Sequence, residues 1–393
     1  MTKKLLIMAI TGLSSTMVFA ADLYVRNGGA GGAYPTITEA IVAASNGDRI
    51  IIQPKVNGDP YVENLIINKS LTLVSETNYS KYIVQGNVTI NPAAGRMVTI
   101  SNLSTWFSGS YSVEASGATT GGRTTINLLN CNLGYVFTNT ANITTNISGC
   151  IATGSIIFSH GRATGNKAQF MSVHSLVPDT SMAASNVEVY GNIVSDVLSY
   201  TQTSYNFKFY NNFCARVAIQ AIKTDSFNEI INNTVYNPAP SDVAPFYISS
   251  NNNGNAGTVL IMNNAASFAV GQTNVCIQNQ SNNANVIATY NVFTNSFITQ
   301  GNVTQSNNSG TVNMNFNNTT YTLTGMNENA GDPDVKYTDL DLTRNDAGHY
   351  GGSNSWANYW PANVGNRPQV NYLVTPRTIS SGTLTISGSG FSK

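Results

Sequence analysis

FKFYNNFCARV, residues 207–217, alternates apolar and polar side chains, reaches two asparagines and then alternates again. Similar stretches are VEVYGNIVSDV at 187–197, EIINNTVYN at 229–237, VLIMNNAASFAV at 259–270 and VIATYNVFTN at 286–295. Period-two alternation over a short run marks a half-buried strand. Asparagine tolerates the left-handed backbone that a sharp turn needs. The turn asparagines Asn192, Asn212, Asn233, Asn264 and Asn291 lie 20, 21, 31 and 27 residues apart. A sandwich of unrelated strands has no reason to keep such an interval, whereas a stack of repeats does.

Stacked coils explain both the interval and the residue. In a parallel β-helix each coil holds two or three short strands, and coils stack at about 4.8 Å. Like residues then lie above like residues. Asparagines stacked in successive turns can hydrogen-bond along a ladder, and Ile, Val, Leu and Phe form one continuous core. Runs such as RIIIQP, NLIINKSLTLVS and YIVQGNVTINP extend the pattern across residues 49–325. At about 23 residues per coil that is roughly twelve coils. The expected class is all-β.

Only one helix is expected, over 36–45. TITE reads as a capping box, with Thr36 accepting from the Glu39 N–H and Glu39 reaching back. Ile37, Ala40, Ile41 and Ala44 share a face, and Asn46-Gly47 ends the helix. Its expected role is to cover the open edge of the first coil.

Composition narrows the location. Charged residues are 10% of the chain, against about 25% in an average domain, and the formal net charge is zero. There are 53 asparagines and 33 glycines. No basic stripe suits nucleic acid. MTKK, the apolar run LLIMAITGLSSTMV and small residues at VFA read as a signal peptide cleaved after Ala20. No later run is long enough to span a membrane. The expected product is exported, secreted or held at the cell surface. Cys131, Cys150, Cys214 and Cys276 lack C-x-x-C spacing, and His160, His174 and His349 do not cluster with them. Cys131 and Cys150 are 19 residues apart, about one coil, so they stack either as a disulfide or as two reduced thiols.

YPTITEAIVAASNGDRIIIQP followed by YVENLIINKSLTLVSE, within 34–76, resembles the N-terminal part of secreted right-handed parallel β-helix proteins, the pectin-lyase-like superfamily. NENAGDPDVKYTDLDLTRNDAGHYGG, 327–352, resembles the closing segment of exported bacterial β-helix proteins. The resemblance implies a right-handed coil. It implies no single activity, because the superfamily includes esterases, lyases, assembly proteins and surface proteins. The expected organisation is a signal at 1–20, a strand and capping helix at 21–48, coils over 49–325, an acidic closing segment at 326–352, and an aromatic β extension at 353–393.

Candidate sites are sparse. A polygalacturonase-like enzyme needs several aspartates, and only Asp179, Asp196, Asp225 and Asp242 fall in the later coils, with SHGR at 159–162 beside no companion motif. A lyase needs a base and a cation facing the uronate carboxylate. Arg216, Lys223 and Asp225 in ARVAIQAIKTD are the available group, against an ordinary polar coil surface. Asp332, Asp334, Asp339, Asp341 and Asp346 offer oxygens to calcium, against a solvated turn held by Asp–Arg344 contacts. Trp356, Tyr359 and Trp360 offer faces to sugars, against packing on the last coil. No other cofactor is expected. The leading function is a non-catalytic exported β-helix, structural or glycan-binding, whose partners are polysaccharide or surface proteins. The alternative is a lyase or hydrolase of acidic polysaccharide.

Overall fold

The computed structural model describes residues 20–359 apart from 78–79, 106–110, 116, 118–120, 175–185, 202–205, 221, 223, 250–256, 272–273 and 282. Beyond Tyr359 it describes the paired strands Gln369–Val374 and Ser387–Phe391 and residues 382, 384 and 386. The expected signal sequence therefore lies outside the described residues, but for Ala20. Among them no helix is long and apolar enough to cross a membrane.

The chain winds as a right-handed parallel β-helix. Among the described residues sheet 1 holds thirteen parallel strands, from Asp22–Val25 to Val303–Ser306, and sheet 2 holds nineteen, from Leu65–Ile67 to Thr299–Gln300. The opening stretch shows one coil. Phe207–Tyr210 lies in sheet 1, Asn211 turns the chain, and Phe213–Ile219 lies in sheet 2. Its register stacks Val187 under Phe207 and Val189 under Phe209. The column continues through Ile230, Ile261 and Ala288, all fully buried. Each such aliphatic side chain contributes about 1.5–3 kcal/mol relative to exposure.

The array is longer at one end and shorter at the other than the sequence implies. Asp22–Val25 already pairs with Arg49–Ile52 in sheet 1. At the far end Ser309 makes the last bridge, to Val292. Met314–Asn317 and Thr322–Gly325 form an antiparallel hairpin instead of another coil. Met314 and Leu323 bury against Ala265, Val292 and Ala347 on the flank.

The helix forms over Ile37–Ala43 and buries Ile37, Ala40 and Ile41. Thr36 caps it, accepting from the Glu39 N–H at 3.2 Å. The end expected at Asn46-Gly47 comes earlier, at Ala43. The partner expected in Glu39 is Glu63 of the next coil, which accepts from the N–H groups of Ile37 and Thr38 at 3.0 and 2.8 Å. Lys69 closes the other end, its Nζ donating to the carbonyls of Ile41, Val42 and Ala44 at 3.0, 2.8 and 2.7 Å. Glu63 and Lys69 thus place opposite charges at the favourable ends of the helix dipole. That gives the Y-x-E-N-x-x-I-x-K pattern a physical reason. Glu63→Ala is expected to lower the stability of this end by about 1–2 kcal/mol. Hydrogen exchange at Val25 and Ile50 measures it, and unchanged protection would remove the role.

Candidate functional site

Seven asparagines form the ladder: Asn166, Asn192, Asn212, Asn233, Asn264, Asn291 and Asn308. Each Nδ2 donates to the next Oδ1, at 2.9, 2.9, 2.9, 3.0, 2.9 and 2.8 Å in turn. The same oxygen accepts the backbone N–H of the preceding member, as Asn233 does from Asn212 at 3.0 Å. The five expected members are fully buried. They do not, however, take the left-handed turn. That falls to the residue before each: Gly191 (φ 64°), Asn211 (56°), Asn232 (55°), Asn263 (55°) and Tyr290 (53°). The first asparagine of each NN pair bends the chain, and the second enters the ladder. Cys150 and Cys131 head the same column. The Cys150 N–H donates to Asn166 Oδ1 at 2.9 Å and the Cys131 N–H to Cys150 Sγ at 3.3 Å.

The bending asparagines have a second use. The closing segment runs back along the flank and docks on them. Asn211 Nδ2 donates to the carbonyls of His349 and Gly351 at 3.0 and 2.6 Å. Asn232 Nδ2 reaches Asn345 Oδ1 and the Asp346 carbonyl at 2.9 and 2.7 Å. Asn263 Oδ1 accepts from the Asp332 N–H at 2.8 Å. Trp356 is buried edge-on to His349 and Tyr350, with centroids 5.2 and 5.5 Å away. Tyr359 is buried over Gly191, where a Cβ would lie 2.1 Å from its ring. Neither ring has a face free for a sugar, which corrects their assignment to glycan. Trp360 lies outside the described residues.

The acidic cluster is also redrawn. Asp332 accepts from the Asp334 N–H at 2.9 Å, and Asp334 pairs with Lys336 Nζ at 3.3 Å. Asp339 accepts from the N–H groups of Asp346 and Gly352, at 3.0 and 2.5 Å. Asp341 holds Thr343, and Asp346 accepts from the Asn329 N–H at 2.7 Å. Each carboxylate serves its own turn, and Arg344 Nε goes to the Gly331 carbonyl at 2.8 Å. Among the described residues no three carboxylate, imidazole or thiol groups converge as a metal site would require.

Of the lyase-like group only Arg216 and Asp225 are described. Lys223 lies outside the described residues. Asp225 sits exposed in a left-handed turn (φ 54°). Arg216 lies on a sheet 2 strand, paired in register with Val197. Its Nε is buried without a hydrogen-bond partner.

Arg216 nevertheless marks a face that the sequence reading missed. The outward side of sheet 2 is a flat array of two columns. One passes through Glu114, Phe137, Ile157, Ser172 and Ser199. The other includes Ser112, Tyr135, Ser155, Phe170, Val197 and Arg216. Tyr135 and Phe137 stack with centroids 5.6 Å apart and planes 10° apart. The Tyr135 ring lies across Gly154, where a Cβ would meet it at 2.2 Å. Phe137 and Phe170 each keep 36% of their surface in water. Polar groups frame these rings. Thr89 and Ser112 donate to Glu114 at 3.1 and 3.4 Å, and Ser199 donates to Ser172 at 2.7 Å.

Sheet 1 offers a second outward feature. Glu188 is paired with Arg162, and Glu229 with Lys208 at 3.5 Å. The closing segment roofs the end of this row, leaving a cleft of about 160 Å³ lined by Tyr210, Glu229, Lys336 and Tyr337. Burial and the hydrogen-bonded Glu229 carboxylate hold the Tyr210 phenol well above its ordinary pKa, so it is no base. Both glutamates already face a cation. The chain matches no family model, no curated protein and no solved structure.

Proposed function

We propose that the protein is an exported, non-catalytic β-helix of the cell surface or extracellular space that holds glycan on the outward face of sheet 2. The observation that carries this reading is the exposed Tyr135–Phe137 stack. Aromatic surface exposed on a rigid sheet matches the apolar face of a pyranose. The framing Ser, Thr and Glu side chains match its hydroxyls. The low charge and the resemblance of 34–76 to the pectin-lyase-like superfamily support export and a polysaccharide partner. The paired state of Glu188 and Glu229 supports binding without turnover.

The test is titration of neutral and acidic polysaccharides against the wild type, Phe137→Ala, Tyr135→Ala and a Val42→Ala control, exposed on the capping helix and off this face. Loss of one stacking ring is worth about 1–1.5 kcal/mol, so each aromatic variant should bind about ten-fold more weakly while the control is unchanged. Equal affinity in all four removes this face from the reading. Ultraviolet-absorbing unsaturated product in the same samples would replace it with a lyase.

A further inference from the structure

We propose that Cys131 and Cys150 form a disulfide that staples one coil to the next during export. The two residues occupy the head of the ladder column. Coil register is fixed on both sides of them: Leu128 and Leu129 pair with Ile147 and Ser148, and Asn132 and Leu133 with Ile151 and Ala152. The cysteines therefore sit one above the other at the strand spacing of about 4.8 Å, within the Cα range of disulfides. The Cys131 N–H meets Cys150 Sγ at 3.3 Å. Cys214 and Cys276 have no such neighbour. Cys214 stacks between Val194 and Val235, and Cys276 donates to the Ser296 carbonyl at 3.3 Å.

The position also tolerates the loss of two S–H groups. Where Asn166 donates to the Ile147 carbonyl at 3.0 Å, Cys131 reaches the Leu129 and Ile100 carbonyls at 3.3 and 3.6 Å, and Cys150 those of Leu128 and Ser148 at 3.5 Å. A thiol is a weak donor, so little is given up when it is oxidised. Both thiols are fully buried in the finished coil, so oxidation comes before the coil closes. A thiolate at Cys131 attacks an external disulfide, forms a mixed disulfide and expels one external thiolate. Cys150, deprotonated, attacks the Cys131 sulfur and expels the second. Two protein thiols and one external disulfide become one protein disulfide and two external thiols, which carry away the two protons.

Trypsin leaves both cysteines in one peptide, 124–162, because no Lys or Arg lies between Arg123 and Arg162. The full chain is refolded with oxidised and reduced glutathione, denatured, alkylated and digested. The expected result is a 124–162 peptide without alkyl groups, lighter than the dithiol by two hydrogens, while Cys214 and Cys276 are alkylated. The thermal midpoint should fall by a few degrees on reduction, and Cys131→Ser/Cys150→Ser should show no such shift. A fully alkylated 124–162 peptide at the most oxidising ratio, or a disulfide mapped to Cys214 or Cys276, overturns the proposal. Neither result depends on the glycan reading.

Discussion

Asn212→Ala is expected to lower the unfolding free energy by about 3 kcal/mol or more. The Asn212 Oδ1 accepts both the N–H and the Nδ2 of Asn192, at 3.0 and 2.9 Å. Its Nδ2 serves the Val189 carbonyl at 2.9 Å and Asn233 Oδ1 at 2.9 Å. Alanine leaves two donors and one carbonyl short of a partner at a fully buried site. Each buried orphan costs about 1–3 kcal/mol, and partial collapse of the coil recovers some of it. Asn302→Ala, exposed and outside the left-handed set, serves as the control and should stay within about 0.5 kcal/mol. Asn211→Leu tests the neighbouring position: a branched side chain forced into left-handed backbone costs about 1–2 kcal/mol before any lost contact. Urea midpoints decide. If Asn212→Ala and Asn302→Ala unfold together, the ladder is not what holds the coils.

The repeat was legible because it is written in strand alternation and in the intervals between asparagines, both properties of neighbouring residues. Which asparagine of a pair bends and which stacks was not, since at NN both residue types suit either place. Gly191-Asn192 and Tyr290-Asn291 carried the answer: glycine takes positive φ freely, so Asn192 is the ladder member. Gly165-Asn166 carried it too, and would have extended the column by one coil. The docking of the closing segment was out of reach. Asn211 and Gly351 are 140 residues apart, and nothing local to either marks the other. The aromatic face was missed for a different reason. In YVF at 135–137 every residue is apolar, so alternation cannot say which side turns outward; the register with Ser112 and Glu114 does. Trp356 and Tyr359 erred the other way, because an aromatic residue in a polar stretch reads equally as a binding face or as packing.

The closing segment is expected to stay docked through mildly acidic pH only because two buried groups oppose each other. His349 is fully buried. Its Nε2–H donates to the Tyr321 carbonyl at 3.0 Å, and its Nδ1 lies 2.7 Å from Thr234 Oγ1, which also accepts the His349 N–H at 3.1 Å. A proton on Nδ1 would meet that hydroxyl as a second donor, inside a ring of Phe213, Tyr350 and Trp356. Burial accordingly drops the His349 pKa from 6.5 to about 3. The released chain takes up this proton near 6.5 and the docked one only near 3, so docking weakens as pH falls through that window, by about 5 kcal/mol in all. Asp339 acts in reverse. Burial raises its pKa from 3.8 to about 7, against the opposing Gly352 N–H bond. Here the docked state takes up the proton first, so docking strengthens from pH 7 down to 3.8, by about 4 kcal/mol. Asp346, also raised by burial, adds in the same sense. The wild type should therefore hold nearly level from pH 6.5 to about 4 and release below. Asp339→Asn removes most of the compensation, and its segment should loosen steadily from pH 6.5 downward. His349→Asn should instead tighten as pH falls from 7 to 4. Either substitution also costs a hydrogen bond at every pH, so the slope and not the level is the readout. Trp356 fluorescence and proteolysis within 326–352, followed against pH, give that slope. Parallel profiles for the wild type and both variants would show that neither group governs the docking.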